Sequence, residues 1–158
     1  SVAARMYDGF SWLQGRYPPT SQGNTVLWMR RSAERPNRVS QRVVGLKPGR
    51  LYSVKMYSAD YRDLSVKQKL GLSVNVTGAE ILKERCFQHV FHNCYSHHFG
   101  PYTDTNKAWM NYHWVVFRAT GPEAELSISD WASPEEPGGP VGQELAMNFV
   151  EVQPYDEP

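Results

Sequence analysis

The sequence lacks the features that mark membrane-spanning and nucleic-acid-binding chains. No apolar run approaches the length that a membrane span needs. An excess of one charge is also missing, because 17 Lys and Arg residues oppose 16 Asp and Glu residues and leave a formal net charge of +1. This near-neutral balance gives no reason to expect a nucleic acid or a membrane surface as the partner.

Motifs of the common enzyme classes are absent as well. The chain contains no G-x-S-x-G nucleophile elbow, no phosphate-binding P-loop and no glycine-rich dinucleotide turn. Glycosidase chemistry requires two carboxylates at a fixed separation across a cleft. The candidate carboxylates all fall in predicted loops or at strand ends, without a distinctive pairing: Asp60, Asp63, Asp104, Asp130, Glu135 and Glu136. We therefore expect a domain without catalytic activity.

No signal peptide is recognisable, and the chain begins at Ser1. A length of 158 residues is enough for one domain with a full core and too short to favour two. We expect residues 1–158 to form a single domain, excised from a larger modular protein.

Helical periodicity of useful length is missing, whereas turn-forming residues are frequent, with 12 Gly and 11 Pro. Aromatic residues make up 13% of the chain. Aromatic-rich segments between turn formers are typical of β-strands. The composition therefore predicts an all-β protein.

Residues 39–46 and 51–58 show the clearest strand patterns. In the second segment an apolar side chain recurs at every second position from Tyr52 to Met56. Lys47-Pro48-Gly49, which lies between the segments, fits a type II turn because Pro presets φ at one corner and Gly admits a positive φ at the next. The pattern predicts an antiparallel hairpin with one face on a core.

Other short segments with strand patterns are separated by turn residues: 25–31, 70–77, 81–90, 108–120, 124–130 and 145–152. Residues 1–23 are predicted to be irregular, with at most one short strand near residues 7–13. Residues 91–107 are predicted to form a long loop, rich in aromatic residues and histidine, of a length that is often functional. Seven to nine short strands predict a two-sheet antiparallel β-sandwich or a jelly roll.

The order of these motifs resembles a family of carbohydrate-binding modules. The segment VSQ-x-V-x-GL-x-PG-x-x-Y is followed by an alternating V-x-V strand, an F-x-AT-G run, an A-x-L-x-I-S-D strand and a closing G-x-E-L-x-x-N-x-V-x-V segment. The chain is similar, over roughly residues 24–153, to the galactose-binding-like jelly-roll modules appended to secreted xylanases and glucanases. The matching residues are mostly core and turn positions: Val39, Ser40, Gln41, Gly45, Leu46, Pro48, Gly49, Tyr52, Trp109, Phe117, Ala119, Thr120, Leu126, Ile128, Gly142, Glu144, Leu145, Asn148 and Val150.

The resemblance implies a non-catalytic module that binds a polysaccharide or oligosaccharide and targets a linked glycoside hydrolase or lyase to its substrate. It implies a secreted or extracellular location, which includes the cell surface and the periplasm, and the catalytic domain of the parent chain as a second partner. Such modules often hold a structural calcium ion, and Asn148 stands where many relatives have an aspartate. The usual N-terminal strand with its Asn-Gly start is not recognisable.

A sugar ring offers apolar C–H faces that stack on flat aromatic side chains, and a polar rim that forms hydrogen bonds. The resemblance implies that Phe117 points into the core. Period-two alternation then places His113 and Val115 inward as well, and it places the intervening side chains on the opposite face: Tyr112, Trp114 and Val116.

Tyr57 joins this outward face if the segment 51–58 lies in the same sheet, and Lys55 then lies beside it. We predict that Tyr57, Tyr112, Trp114 and Lys55 line an aromatic groove that binds sugar. The alternative is that the loop 91–107 covers these rings and forms a second small core.

Four further residues are candidate sugar contacts. Asp130 and Trp131 open a loop rich in Pro and Gly, Tyr61 follows the segment 51–58, and Trp109 lies near the start of the segment 108–120. A different function is left open by the same aromatic residues, namely a structural or protein-docking β-sandwich that packs against a neighbouring catalytic domain.

Two cysteines and five histidines cluster in the second half of the chain: Cys86, His89, His92, Cys94, His97, His98 and His113. Their spacings do not fit tetrahedral zinc sites, and the H-x-H pair of jelly-roll cupins is missing, so we expect no metal site here. A disulfide between Cys86 and Cys94 is predicted if the protein is secreted, with two buried free thiols as the alternative.

Overall fold

The computed structural model describes residues 1–7, 10, 24–93 and 108–156, and this part of the chain is built mainly from β-strands. A short 3₁₀ turn at Lys83–Arg85 interrupts them. The described residues contain ten strands: β1 (Val2–Met6), β2 (Thr25–Arg30), β3 (Arg38–Val43), β4 (Leu51–Asp60), β5 (Ser73–Thr77), β6 (Ala79–Ile81), β7 (Phe87–Asn93), β8 (Ala108–Ala119), β9 (Ala124–Ser129) and β10 (Glu144–Pro154).

The strands form two antiparallel sheets, as expected for an all-β sandwich. The larger sheet has the order β1-β2-β10-β4-β8. On the side of β8 opposite β4, β7 pairs with the first part of β8 and β6 pairs with its end. The smaller sheet has the order β3-β9-β5. From β2 to β5 each strand lies in the sheet opposite to its predecessor, and β8, β9 and β10 alternate in the same way.

The predicted hairpin of residues 39–58 is wrong. β3 pairs with β9 in the smaller sheet, whereas β4 pairs with β8 and β10 in the larger sheet. The turn itself is confirmed, since Gly49 has a φ of 85° and the Arg50 N–H donates to the Lys47 carbonyl over 3.0 Å. A turn signal indicates that the chain reverses direction, but it does not indicate that the flanking strands pair.

Three predicted segments differ from the structure. Residues 1–23 were expected to be irregular, yet β1 pairs with β2 along five residues. The predicted strand 81–90 is divided by the 3₁₀ turn into β6 and β7. β7 then continues to Asn93, inside the segment predicted as a loop, and residues 94–107 lie outside the described residues.

The core lies between the sheets and follows the predicted alternation. On β4 and β8, side chains at every second position are at most 8% exposed and face the smaller sheet: Tyr52, Val54, Met56, His113, Val115 and Phe117. The smaller sheet adds apolar side chains to the same two clusters, among them Val76, Leu126 and Ile128. The inward direction that the resemblance implied for Phe117 is confirmed.

One extra residue in β10 changes the alternation of that strand. Asn148 pairs with Tyr57 and Glu151 pairs with Lys55, so two residues of β10 lie opposite a single residue of β4. Phe149, within this bulge, has a φ of 55°, and the Asn148 side-chain oxygen accepts its N–H over 2.7 Å. Such a bulge reverses which face the following side chains occupy.

Arg31 ties the two sheets together where β2 ends. Its side chain is 1% exposed and donates to the carbonyl oxygens of Asp130 (2.9 Å), Pro140 (3.0 Å) and Gly71. It also donates to the side-chain oxygen of Gln143 over 2.5 Å. One buried guanidinium therefore satisfies four acceptors from three segments of the chain, since Pro140 and Gln143 belong to one turn.

We expect Arg31→Met to lower the free energy of unfolding by about 3–5 kcal/mol, because buried acceptors would lose a charged donor. Urea denaturation measures this change. The matched control is Arg30→Met at the exposed neighbouring position, for which a change within about 0.5 kcal/mol is expected. Similar small losses in the two variants would contradict the role assigned to Arg31.

Candidate ligand-binding face

Two rows of side chains cross the outer face of the larger sheet, on the side opposite the core. In one row Lys55 of β4, Trp114 of β8 and Phe87 of β7 are paired across the strands. The paired residues of the next row are Tyr57, Tyr112 and His89. Paired residues of antiparallel strands place their side chains about 5 Å apart on one face. The register thus brings together the four residues predicted to line a groove.

The rings in these rows contact one another. The ring centroids of Tyr57 and Tyr112 are 5.1 Å apart, and those of Tyr112 and Trp114 are 6.2 Å apart. Phe87 stacks on Trp114 at 5.9 Å with an interplanar angle of 6°. These distances are those of attractive aromatic pairs. We define the outer aromatic face by six of the rings that such contacts connect: Tyr57, Phe87, Phe91, Tyr112, Trp114 and Tyr155. His89, 4.4 Å from Phe87, and Phe149, 6.5 Å from Tyr57, lie at its border.

The outer aromatic face is accessible to solvent. Tyr57, Tyr112 and Trp114 are half-buried, and Phe87 is 40% exposed. A first depression, of about 520 Å³, is lined by Glu84, Arg85, Cys86, Phe87, Tyr112, Trp114 and Tyr155. A second, of about 290 Å³, is lined by Tyr57, His89, Phe91 and Tyr112. The first volume lies within the range that is typical of small-molecule sites, and the second lies just below it.

Polar groups stand among and beside the rings. The Lys55 ammonium lies 5.8 Å from the centre of the Trp114 ring and 3.7 Å from a carboxylate oxygen of Glu151. Burial, with smaller contributions from Tyr57 and Glu151, raises the pKa of Tyr112 to about 12. The Tyr112 hydroxyl is therefore neutral at ordinary pH and can donate a hydrogen bond.

Both ends of the outer aromatic face are covered by the chain itself. Val116, which alternation predicted to face outward, is fully buried because Leu51 and Leu82 pack over it. Beyond Tyr57 a second cluster, which includes the fully buried Phe10 and Met110, covers the sheet. The alternative considered above, cover by the loop 91–107, falls largely on residues 94–107, which lie outside the described residues. The accessible rings are thus confined to the middle of the face.

Asp130 and Trp131 were predicted as exposed sugar contacts, and that prediction is wrong. Asp130 is fully buried and accepts hydrogen bonds from the backbone and side chain of Asn37, at 2.8 and 2.7 Å. Trp131 is 7% exposed, and its indole N–H donates to the Ser32 carbonyl over 3.0 Å. Both residues anchor the loop that precedes β3.

Trp109 and Tyr61 do not reach the outer aromatic face. Trp109 has the same strand parity as Phe117, so it faces the other side of the sheet, where it contacts His92 at 5.1 Å. Tyr61 packs edge-on against Tyr7 at 5.5 Å in the cluster around Phe10. The structure therefore separates both residues from the proposed groove.

Three rings of the outer aromatic face were missed by sequence reasoning. Phe87 and Phe91 belong to a period-two pattern together with His89, and this signal was available in the segment 81–90 and its continuation. Tyr155 follows the last predicted strand, and its backbone N–H donates to the Leu51 carbonyl over 2.9 Å. That contact joins residues far apart in sequence, so no local pattern could indicate it.

The predicted Cys86–Cys94 disulfide is incompatible with β7. This strand occupies all residues between the two cysteines and pairs with β8 along its whole length. An extended strand of seven residues spans about 23 Å, whereas a disulfide needs Cα atoms within about 7 Å. The Cys86 sulfur instead accepts the Val116 N–H at 3.4 Å and lies 3.3 Å from the Leu82 carbonyl. Cys94 itself lies outside the described residues.

No group of three or more His, Cys, Asp or Glu side chains that could hold a metal ion occurs in residues 1–7, 10, 24–93 and 108–156. Asn148, the position considered for calcium, lies at the β10 bulge and accepts the Phe149 N–H. Within the same ranges, no helix has the length and apolar character required to cross a membrane.

Comparisons of the chain with protein-family models, with curated proteins and with solved structures found no match.

His113 lies on the core side of β8 and connects the two strands whose opposite sides carry Tyr57 and Tyr112. It lies between Tyr112 and Trp114 on β8 but points into the core, where its Nε2 is 2.7 Å from the Ser58 hydroxyl of β4. Burial, with a smaller contribution from Lys69, lowers the pKa of His113 to about 4. The neutral imidazole therefore joins the two strands that carry Tyr57 and Tyr112.

Protonation of His113 is expected to destabilise the fold. The unfolded chain binds this proton near pH 6.5 and the folded chain only near pH 4, so stability falls as pH decreases between these values. The expected loss at pH 5 relative to pH 8 is about 2 kcal/mol. Urea denaturation across this pH range should show that His113→Gln removes this part of the pH dependence. An unchanged pH profile in that variant would contradict the assignment.

Proposed function

We propose that this chain is a non-catalytic carbohydrate-binding module with a galactose-binding-like jelly-roll fold. The fold proposal is supported by the alternation of strands between the two sheets and by the position of β10 between β2 and β4. Strands that are distant in sequence become neighbours in this way in Greek-key and jelly-roll sandwiches. The motif order of the sequence agrees with the same family.

The functional proposal rests on one observation, the outer aromatic face. Rings from β4, β7, β8 and the residue that follows β10 lie side by side, half-exposed, on the side of the sheet opposite the core. Such rings offer flat apolar surfaces to the C–H faces of a sugar. The hydroxyls of Tyr57 and Tyr112 and the ammonium of Lys55 supply hydrogen bonds to its rim.

The site lies on paired strands, so it is largely formed before a ligand arrives. Little side-chain freedom is lost when rings already packed against each other accept a sugar. In a secreted polysaccharide-degrading enzyme, such a module would keep a tethered catalytic domain at high local concentration on its substrate. This role requires no catalytic group in the module itself.

Affinity gel electrophoresis against xylan, β-glucan, mannan and galactan tests the proposal. We expect retardation on at least one gel, and we expect Trp114→Ala and Tyr57→Ala each to weaken binding about tenfold or more, because each removes a stacking surface. Trp109→Ala is the matched control, since this half-buried ring lies on the other side of the sheet. Absence of retardation on all four gels would reject sugar binding.

Protein docking is the second candidate function. It is favoured by the ring-to-ring contacts of the outer aromatic face, which give most of this surface an apolar character. A docking module would bind a domain of its parent chain and no glycan. Trp114→Ala would then weaken that association and leave all four gels unaffected.

A further inference from the structure

The two depressions on the outer aromatic face share Tyr112 as a common wall. The first extends from Tyr112 towards Trp114 and Tyr155, and the second extends towards Tyr57 and Phe91. Tyr112 and Trp114 lie two residues apart on β8, which corresponds to about 6–7 Å along an extended strand. Two neighbouring ligand units of ring size could therefore lie along β8.

Each depression has its own aromatic platform. In the first, Trp114 and Phe87 form a stacked pair, and Tyr155 meets Trp114 edge-on at 6.2 Å. In the second, Phe91 meets Tyr57 edge-on at 6.0 Å, and His89 adds a ring with polar nitrogens.

The charges around the two depressions are balanced. Lys55 is paired with Glu151, and the rim of the first depression carries Glu84 next to Arg85. The second depression is lined by rings only, three from tyrosine and phenylalanine and one from histidine. Among the described residues that line the two depressions, a negatively charged sugar would find no surplus of positive charge, so this lining favours an uncharged ligand.

We propose that the outer aromatic face contains two adjacent sugar subsites joined at Tyr112, and that they bind two consecutive units of an uncharged glycan. This inference rests on the proposed carbohydrate-binding function. The first subsite is formed by Phe87, Trp114 and Tyr155, and the second by Tyr57, His89 and Phe91. The smallest ligand that uses the whole site is a disaccharide unit.

Isothermal titration calorimetry with cello-, xylo-, manno- and galacto-oligosaccharides of one to four units tests the inference. For the glycan retained on the gels, we expect at least a tenfold gain in affinity from one to two units and smaller gains beyond. Oligogalacturonates of the same lengths, which are negatively charged, are expected to bind at least tenfold more weakly. Equal affinity for the monosaccharide and the disaccharide, or a preference for the charged series, would overturn the proposal.

Variants assign the two subsites separately. Phe91→Ala should abolish most of the gain from one to two units, whereas Phe87→Ala should weaken the binding of both the monosaccharide and the disaccharide. Phe91→Leu, which retains apolar volume, guards against a loss that arises from misfolding, and should show a reduced gain with an unchanged melting temperature. If Phe91→Ala leaves the gain intact, the second subsite is rejected although gel retardation still supports carbohydrate binding. A failure of the wild type on every gel rejects the underlying function instead.

Discussion

The register between β4 and β8 is the constraint on which the rest of the structure depends. It pairs Lys55 with Trp114 and Tyr57 with Tyr112, and on the reverse side it brings Ser58 close to His113. A shift by one residue would exchange the two faces of a strand, which would bury the tyrosines and expose the core. The hydrophobic core and the outer aromatic face are therefore two consequences of one set of backbone hydrogen bonds.

The same constraint explains why the accessible rings form a limited patch. The outer face continues along β8 in both directions, but Leu51 and Leu82 cover Val116 at one end, and the cluster around Phe10 covers Met110 at the other. Among the described residues, the rings of the outer aromatic face that lie between these covers remain partly accessible to solvent. A sheet face of this kind can combine packing and recognition, because neighbouring positions of one strand serve different purposes.

Once the resemblance had placed Phe117 inward, local alternation predicted the outward direction of Tyr112 and Trp114, which the structure shows. The pairing of the strands could not be predicted in this way, because the turn at Gly49 reverses the chain without determining which sheet each flanking strand joins. Burial of Trp131 also escaped prediction, since its partner Ser32 lies 99 residues away in sequence. Residues that follow a turn look exposed in a local pattern, and only the assembled fold shows what covers them.

The bulge in β10 determines which residues of this strand and of the segment after it reach the outer aromatic face. Before it, odd-numbered positions such as Leu145 and Met147 face the core; after it, Val152 does, and Glu151 turns to the opposite side. Because odd-numbered positions face outward after the bulge, Tyr155 lies on the outer side of the sheet and contacts Trp114. Removal of a single residue at position 149 or 150 would direct the Glu151 carboxylate into the apolar interior and withdraw Tyr155 from its neighbour, so chain length at this point is as decisive as residue identity.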